Sequence, residues 1–149
     1  MFRVETYSDQ YFADVVQLVE NFHKEAVGEY DELFDPHALI ETIKSMKEPN
    51  GHNAFLLIVN NSCQGILAGA EYKSLLNNKR IFQEIIWYVN APFRRYGVYL
   101  LNEVQKTLKL NGIGIMIMAV LENSKTEKIK SLYDRLGFKP MEVHYVRTL

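Results

Sequence analysis

Two spacings of apolar residues take turns along this chain, one near two and one near 3.6, and the changeovers mark its elements. Phe2 to Thr6 reads as a first strand. Phe12, Val15, Val16, Val19, Phe22 and His23 then recur at helical spacing, with Ser8 or Asp9 placed to cap the helix. An acid-rich segment, Glu25 to Asp35, leads through Pro36 to a second helix from about His37 to Met46, which Lys47-Glu48-Pro49-Asn50-Gly51 breaks. Asn53 to Val59 and Gln64 to Tyr72 predict two strands joined at Asn60-Asn61-Ser62, and Asn77-Asn78-Lys79 turns the chain into a long strand, Arg80 to Val89. Its end, Ile85-Ile86-Trp87-Tyr88-Val89, is β-branched or aromatic on both faces, as a covered central strand requires. From Val98 the period returns to helical, with Leu101, Val104, Gln105 and Leu108 on one side, until Gly112 stops it. Ile113 to Leu121 is another apolar run, Thr126 or Ser124 caps a last helix that Gly137 closes, and Phe138 to Arg147 reads as a terminal strand.

This order predicts an α/β domain in which an antiparallel meander feeds a parallel pair of strands through a right-handed crossover. Its 149 residues suit a single domain, 1–149, with a sizeable core. A 48% hydrophobic content argues against disorder, and a net charge of −1 gives no general attraction to nucleic acid or an anionic membrane. There is no apolar run of membrane-spanning length, and MFRVETYSDQ shows no signal-peptide pattern. The sole cysteine, Cys63, lies in an apolar run where a buried structural thiol is expected, and both features favour a cytoplasmic setting.

The chemistry-bearing stretch is Glu84 to Leu101, where a strand turns tightly past Pro92, Arg94, Arg95 and Gly97 into a helix. The first amides of a helix lack partners and carry the positive end of its dipole, so this is an anion site, with Gly97 letting backbone approach a phosphate. Arg94-Arg95-Tyr96-Gly97-Val98-Tyr99 resembles the Q/R-x-x-G-x-G/A motif of the GNAT superfamily of N-acetyltransferases, whose loop holds the coenzyme A pyrophosphate. Leu132-Tyr133-Asp134-Arg135-Leu136-Gly137-Phe138 resembles that family's second signature, L-Y-x-x-x-G-F, and the element order fits along the whole chain. Tyr99 departs from the pattern, which has a small residue there; its side chain either crowds the pyrophosphate or points away.

The resemblance implies a GNAT-like mixed sheet whose parallel pair splays apart, with about four helices on its two faces. It implies acetyl-CoA as co-substrate, held by the loop Arg94 to Tyr99 and by exposed backbone of Trp87, Tyr88 and Val89. It also implies a contact from Asn123. Tyr133 would protonate the leaving thiolate or bond to its sulfur; the alternative is an ordinary core tyrosine. Glu84-Ile85-Ile86 resembles the stretch that carries the catalytic glutamate in some histone acetyltransferases of the family, so Glu84 is either a general base or a solvated carboxylate. A base matters because deprotonating a lysine-like amine at pH 7 costs about 4.6 kcal/mol.

His23, His37, His52 and His144 have no metal-ligand spacing, and a nucleoside triphosphatase loop and a three-glycine dinucleotide loop are both missing. The expected activity is direct acetyl transfer to the primary amine of a small molecule or peptide. A protein acetyltransferase and a degenerate acyl-CoA-binding domain without turnover are the alternatives. The resemblance implies that the Glu25 to Asp35 segment borders the acceptor, where its acids would draw a cationic amine such as a polyamine, aminoglycoside or lysine side chain; the alternative is a solvated loop. The terminal strand either packs on its own sheet or pairs with a second subunit, as in a homodimer.

Overall fold

The computed structural model describes residues 1–47, 53–123 and 125–149, and for Glu29 the backbone alone. Strand β1 (Phe2–Thr6) is followed by a 3-10 turn and helix α1 (Phe12–Phe22), and helix α2 (Pro36–Lys44) leads to the hairpin pair β2 (Ala54–Val59) and β3 (Ser62–Lys73). Strand β4 (Arg80–Val89), helix α3 (Gly97–Leu110), strand β5 (Ile115–Ile117) and helix α4 (Thr126–Arg135) complete the set. The sheet runs in the order β1-β2-β3-β4-β5, antiparallel except for the parallel pair β4 and β5.

Both faces of the sheet are covered, so its central strands bury alternate residues in two separate cores. Leu56, Ile58, Ile66, Ala68 and Ile86 point to α1 and α2, where Val15, Leu18, Val19, Ile40 and Ile43 meet them. Phe55, Leu57, Leu67, Phe82 and Val89 point the other way, to Leu100, Leu101, Val104 and Leu108 of α3. Asn60 and Asn61 both hold positive φ in the β2–β3 turn, as does Asn78 in the next, a conformation asparagine adopts more readily than most residues. Cys63 is buried, and burial pushes its thiol up to about 12.

Strand β4 changes parity partway along. Ala68 pairs with Ile86 and Gly69 with Glu84, so Ile85 is an extra residue, a β-bulge. Ahead of it Phe82 faces α3; beyond it Trp87 and Val89 do, while Ile85 and Ile86 both lie towards α1. Gly69 permits this, because a Cβ there would lie 2.4 Å from the carbonyl oxygen of Gln83.

Several sequence expectations need correcting. Pairing between β4 and β5 is confined to Ile81–Ile115, Phe82–Met116 and Gln83–Ile117, so the expected strand Ile113 to Leu121 shrinks to three residues. From Glu84 onwards no described residue pairs with that edge of β4, and the two strands part. Neither Ser8 nor Asp9 caps α1 with its side chain; Asp9 instead accepts from the Tyr7 hydroxyl and from Lys47 Nζ. Asp35 caps α2, which runs from Pro36 and ends at Lys44, short of the expected Met46 and before the breaker begins, and residues 48–51 of that breaker lie outside the described ones, as does His52. Thr126 is inside α4 and its hydroxyl donates back to Leu121 O; Ser124 is not among the described residues. The terminal strand is not formed: Phe138 packs on Tyr133, and residues 139–149 are exposed with no ladder partner.

Candidate active site

Where β4 and β5 part, a cleft of about 600 Å³ opens between β4, the 119–123 segment, α4 and the turn that follows α1. It runs from the start of α3, at Gly97 and Val98, through the gap in the sheet to Phe22 and Phe34 on the α1 side. Glu84 lies at the fork. Its Oε1 accepts from the Ala119 amide at 3.2 Å, replacing the ladder bond that a straight β5 would have made. Burial pushes this carboxyl up to about 7, against the smaller opposing pull of that amide. Tyr133 reaches the same residue from α4, its hydroxyl donating to Ala119 O at 3.0 Å. The Tyr133 ring is 7% exposed and stacks on Trp87 with centroids 5.9 Å apart. Burial, and behind it the Glu84 charge, push its phenol well above the usual range. It therefore stays an O–H donor at any working pH.

The other candidates divide by position. Trp87, Tyr88, Val89, Arg94, Gly97, Val98 and Asn123 line the cleft together with Glu84 and Tyr133. Arg95 does not; its guanidinium donates to Pro92 O and Tyr96 Oη and lies 4.5 Å over the Tyr96 ring. Tyr96 and Tyr99 both pack on Phe2 of β1, with centroids 4.6 and 4.9 Å away, so the bulky Tyr99 side chain points away from the helix start. Gly97 has helical φ, and a Cβ there would meet nothing nearer than Trp87 Cζ2 at 3.9 Å. Gly97 is buried, yet neither its own backbone nor its neighbours require glycine, and it lines the cleft without a side chain beside the first amides of α3.

Three signals were missed in the sequence. Glu25 belongs to the π-helical turn His23–Val27, and it gathers Arg94 Nη2 at 2.6 Å, Lys125 Nζ at 2.5 Å and the Tyr88 hydroxyl at 2.8 Å. Arg94, with help from Lys125 and Tyr88, holds the Glu25 carboxyl down at about 2. Asn123 reinforces the link by donating from Nδ2 to Ala26 O. Second, Phe22, Phe34 and Tyr88 form an aromatic group at the α1 end, with centroids 6.1–6.3 Å apart. Third, Ala68-Gly69-Ala70 inside a strand was the available sign of the bulge.

The acids expected to attract a cation are mostly occupied. Asp31 lies 2.7 Å from His23 Nε2, Glu32 accepts from Thr148, and Asp35 caps α2. Among the described residues no His, Cys, Asp and Glu group could hold a metal, and no helix is long and apolar enough to cross a membrane.

No family model and no curated protein matches this chain in sequence. Solved structures do match it over its full length. A possible acetyltransferase from Clostridium difficile 630 superposes with a TM-score of 0.77 at 17% identity, covering 100% of this chain and 97% of its own. The ribosomal-protein-alanine N-acetyltransferase of Brucella melitensis gives 0.76 at 11%, covering 100% and 99%. AAC(6')-Iy, solved with the bisubstrate analogue CoA-S-monomethyl-acetylneamine, gives 0.72 at 15%, covering 100% and 99%. At such identities the likeness is one of fold, and the chain shares its fold with these acetyltransferases.

Proposed function

We propose that the chain is an acetyl-CoA-dependent N-acetyltransferase that passes the acetyl group directly to a primary amine within a ternary complex. The observation that carries this reading is the convergence of Glu84 and Tyr133 on Ala119 at the floor of a cleft that begins beside the open start of α3. That start fits a pyrophosphate: Gly97 lines the cleft without a side chain, and the amides of Val98 and Tyr99 belong to the first helical turn. Tyr96 and Tyr99 contribute backbone only, and Arg95 contributes its field. The unpaired edge of β4 from Trp87 to Val89 offers backbone groups to an extended amide-bearing arm, although Val89 O already accepts from Arg94 Nε.

Acetyl-CoA supplies an activated acyl carbon and a thiol leaving group. Glu84, poised near neutrality, takes a proton from the ammonium of the acceptor, directly or through water, and so exposes the nitrogen lone pair. The amine attacks the acyl carbon; a C–N bond forms, the C–S bond breaks, the sulfur leaves with the electron pair, and the nitrogen's remaining surplus proton passes through water to that sulfur. Tyr133 swings its O–H from Ala119 O to the departing sulfur, stabilising the charge until the thiol is protonated. Its raised pKa makes it a hydrogen-bond donor in preference to a full acid.

The test uses Trp87, the only tryptophan, which lies in the cleft wall. Acetyl-CoA is expected to change its fluorescence saturably and to raise the melting temperature by several degrees at ~100 times Kd, where ligand linkage supplies about 2.7 kcal/mol. Gly97→Val, which puts a side chain beside those amides, is expected to abolish both responses while the fold persists. An unresponsive wild type at millimolar acetyl-CoA would overturn the reading.

A further inference from the structure

Resting on that reading, we infer that the acceptor is a monoamine on an aromatic body, of the 2-phenylethylamine type, and that polycationic amines are poor substrates. The cleft has two ends. The start of α3 takes one, so the acceptor comes from the other, on the α1 side of the sheet, where Phe22, Phe34, Tyr88 and Ile85 line it. Phe22 is buried and meets both Phe34 and Tyr88 edge to face, so the half-buried Phe34, Ile85 and Tyr88 offer the apolar surface for a flat hydrocarbon. Beyond these rings the 119–121 segment contributes Ala119, Val120 and Leu121.

Charge decides the rest. Among the described residues that line the cleft, the acids are Glu25 and Glu84, and the bases are Arg94, Lys125 and Lys128. Glu25 is bound by Arg94 and Lys125 at once, so the mouth carries an excess of positive charge. Glu84 alone remains to receive an ammonium, and it sits on the floor where the reacting nitrogen must be. A second or third ammonium of a polyamine would have to displace an internal ion pair or stand beside uncompensated cations. An acceptor with one amine and an apolar body satisfies both the rings and the single free carboxyl.

Thiol release from acetyl-CoA, compared across 2-phenylethylamine, spermidine, kanamycin and a peptide with a free amino-terminal alanine, tests the inference. The expected kcat/KM for 2-phenylethylamine exceeds that of each other amine by about 100-fold, on the order of 2.7 kcal/mol. Phe34→Ala is expected to raise its KM about tenfold, as loss of one ring contact would, with the Trp87 response to acetyl-CoA retained. Lys128→Glu, an exposed change that leaves the Glu25 bridges intact, is expected to raise the ratio of spermidine to 2-phenylethylamine kcat/KM about fivefold at low salt, and an unchanged ratio would overturn the charge argument. Spermidine, kanamycin or peptide matching 2-phenylethylamine would overturn the inference, as would binding of acetyl-CoA with no turnover of the aryl amine. Failure of acetyl-CoA to bind would instead strike the acetyltransferase reading itself.

Discussion

On the proposed mechanism Glu84 and Tyr133 carry the chemistry at the scale of single residues, and each has a measurable signature. Glu84 is a carboxyl whose folded pKa lies above its unfolded value, so the protonated form is favoured by folding. Its contribution to stability is thus fully present below about pH 4.5 and fades as pH rises through about 7. Glu84→Gln removes that loss; measured by denaturant melts, the variant should gain on the wild type above pH 7, by at most about 3 kcal/mol. Its acetylation rate should fall at neutral pH and recover as rising pH deprotonates the free amine, whereas a uniform loss at every pH would mark Glu84 as a positioning group. Tyr133→Phe deletes one hydroxyl and its bond to Ala119 O, a change of about 1 kcal/mol in stability. It should lower kcat more than it changes the Trp87 titration by acetyl-CoA; equal turnover would make Tyr133 a packing residue only.

At the scale of elements, the site exists because β4 and β5 stop pairing after Gln83, and the bulge at Ile85 decides what each side of the gap presents. Without the extra residue Trp87 would turn towards α1, and its stacking on Tyr133 would be lost. Gly69 guards this geometry. Gly69→Ala would drive a Cβ against the Gln83 carbonyl and so straighten or unpair the strand, costing about 3 kcal/mol or more. A variant that melts like the wild type and keeps its activity would show that the bulge survives another way. This feature also marks the limit of what the residues alone disclosed. The turns at Asn60-Asn61 and Asn78, the helix stop at Gly112 and the two-sided burial of β2 to β4 follow from local conformational preference and apolar spacing, both written in the chain. The early end of β5 does not, because Met118 to Leu121 is as apolar as any strand and loses its ladder only to the divergence of its partner. The terminal segment failed for a related reason: Met141, Val143 and Tyr145 alternate as a strand would, but alternation supplies no edge to pair with. The tyrosine at position 99 was undecidable locally, since its direction is set by Phe2, distant in sequence.

Across the whole molecule, the cleft has to stay open between two cores that share only the sheet, and Glu25 is the tie that holds its far wall. One carboxylate joins the turn after α1 to β4 through Tyr88, to the turn Ala91–Tyr96 through Arg94 and to the start of α4 through Lys125. Its folded pKa is depressed to about 2, so its stabilisation is complete above about pH 4.5 and is lost as pH falls towards 2. A third of the side chain is exposed, and solvent screening reduces the gain to on the order of 1–2 kcal/mol. Glu25→Gln keeps the shape and drops the charge. The variant should therefore melt below the wild type at pH 7, and the gap should narrow below about pH 4.5 and close as pH falls towards 2. Because α4 meets the turn after α1 through Lys125 and the neighbouring Asn123, amide exchange should quicken in 23–27 and in the first turn of α4 but not in β2 or β3. Uniform quickening would mean that Glu25 stabilises the fold as a whole. No quickening would leave Asn123, donating to Ala26 O, as the sufficient tie across the mouth of the cleft.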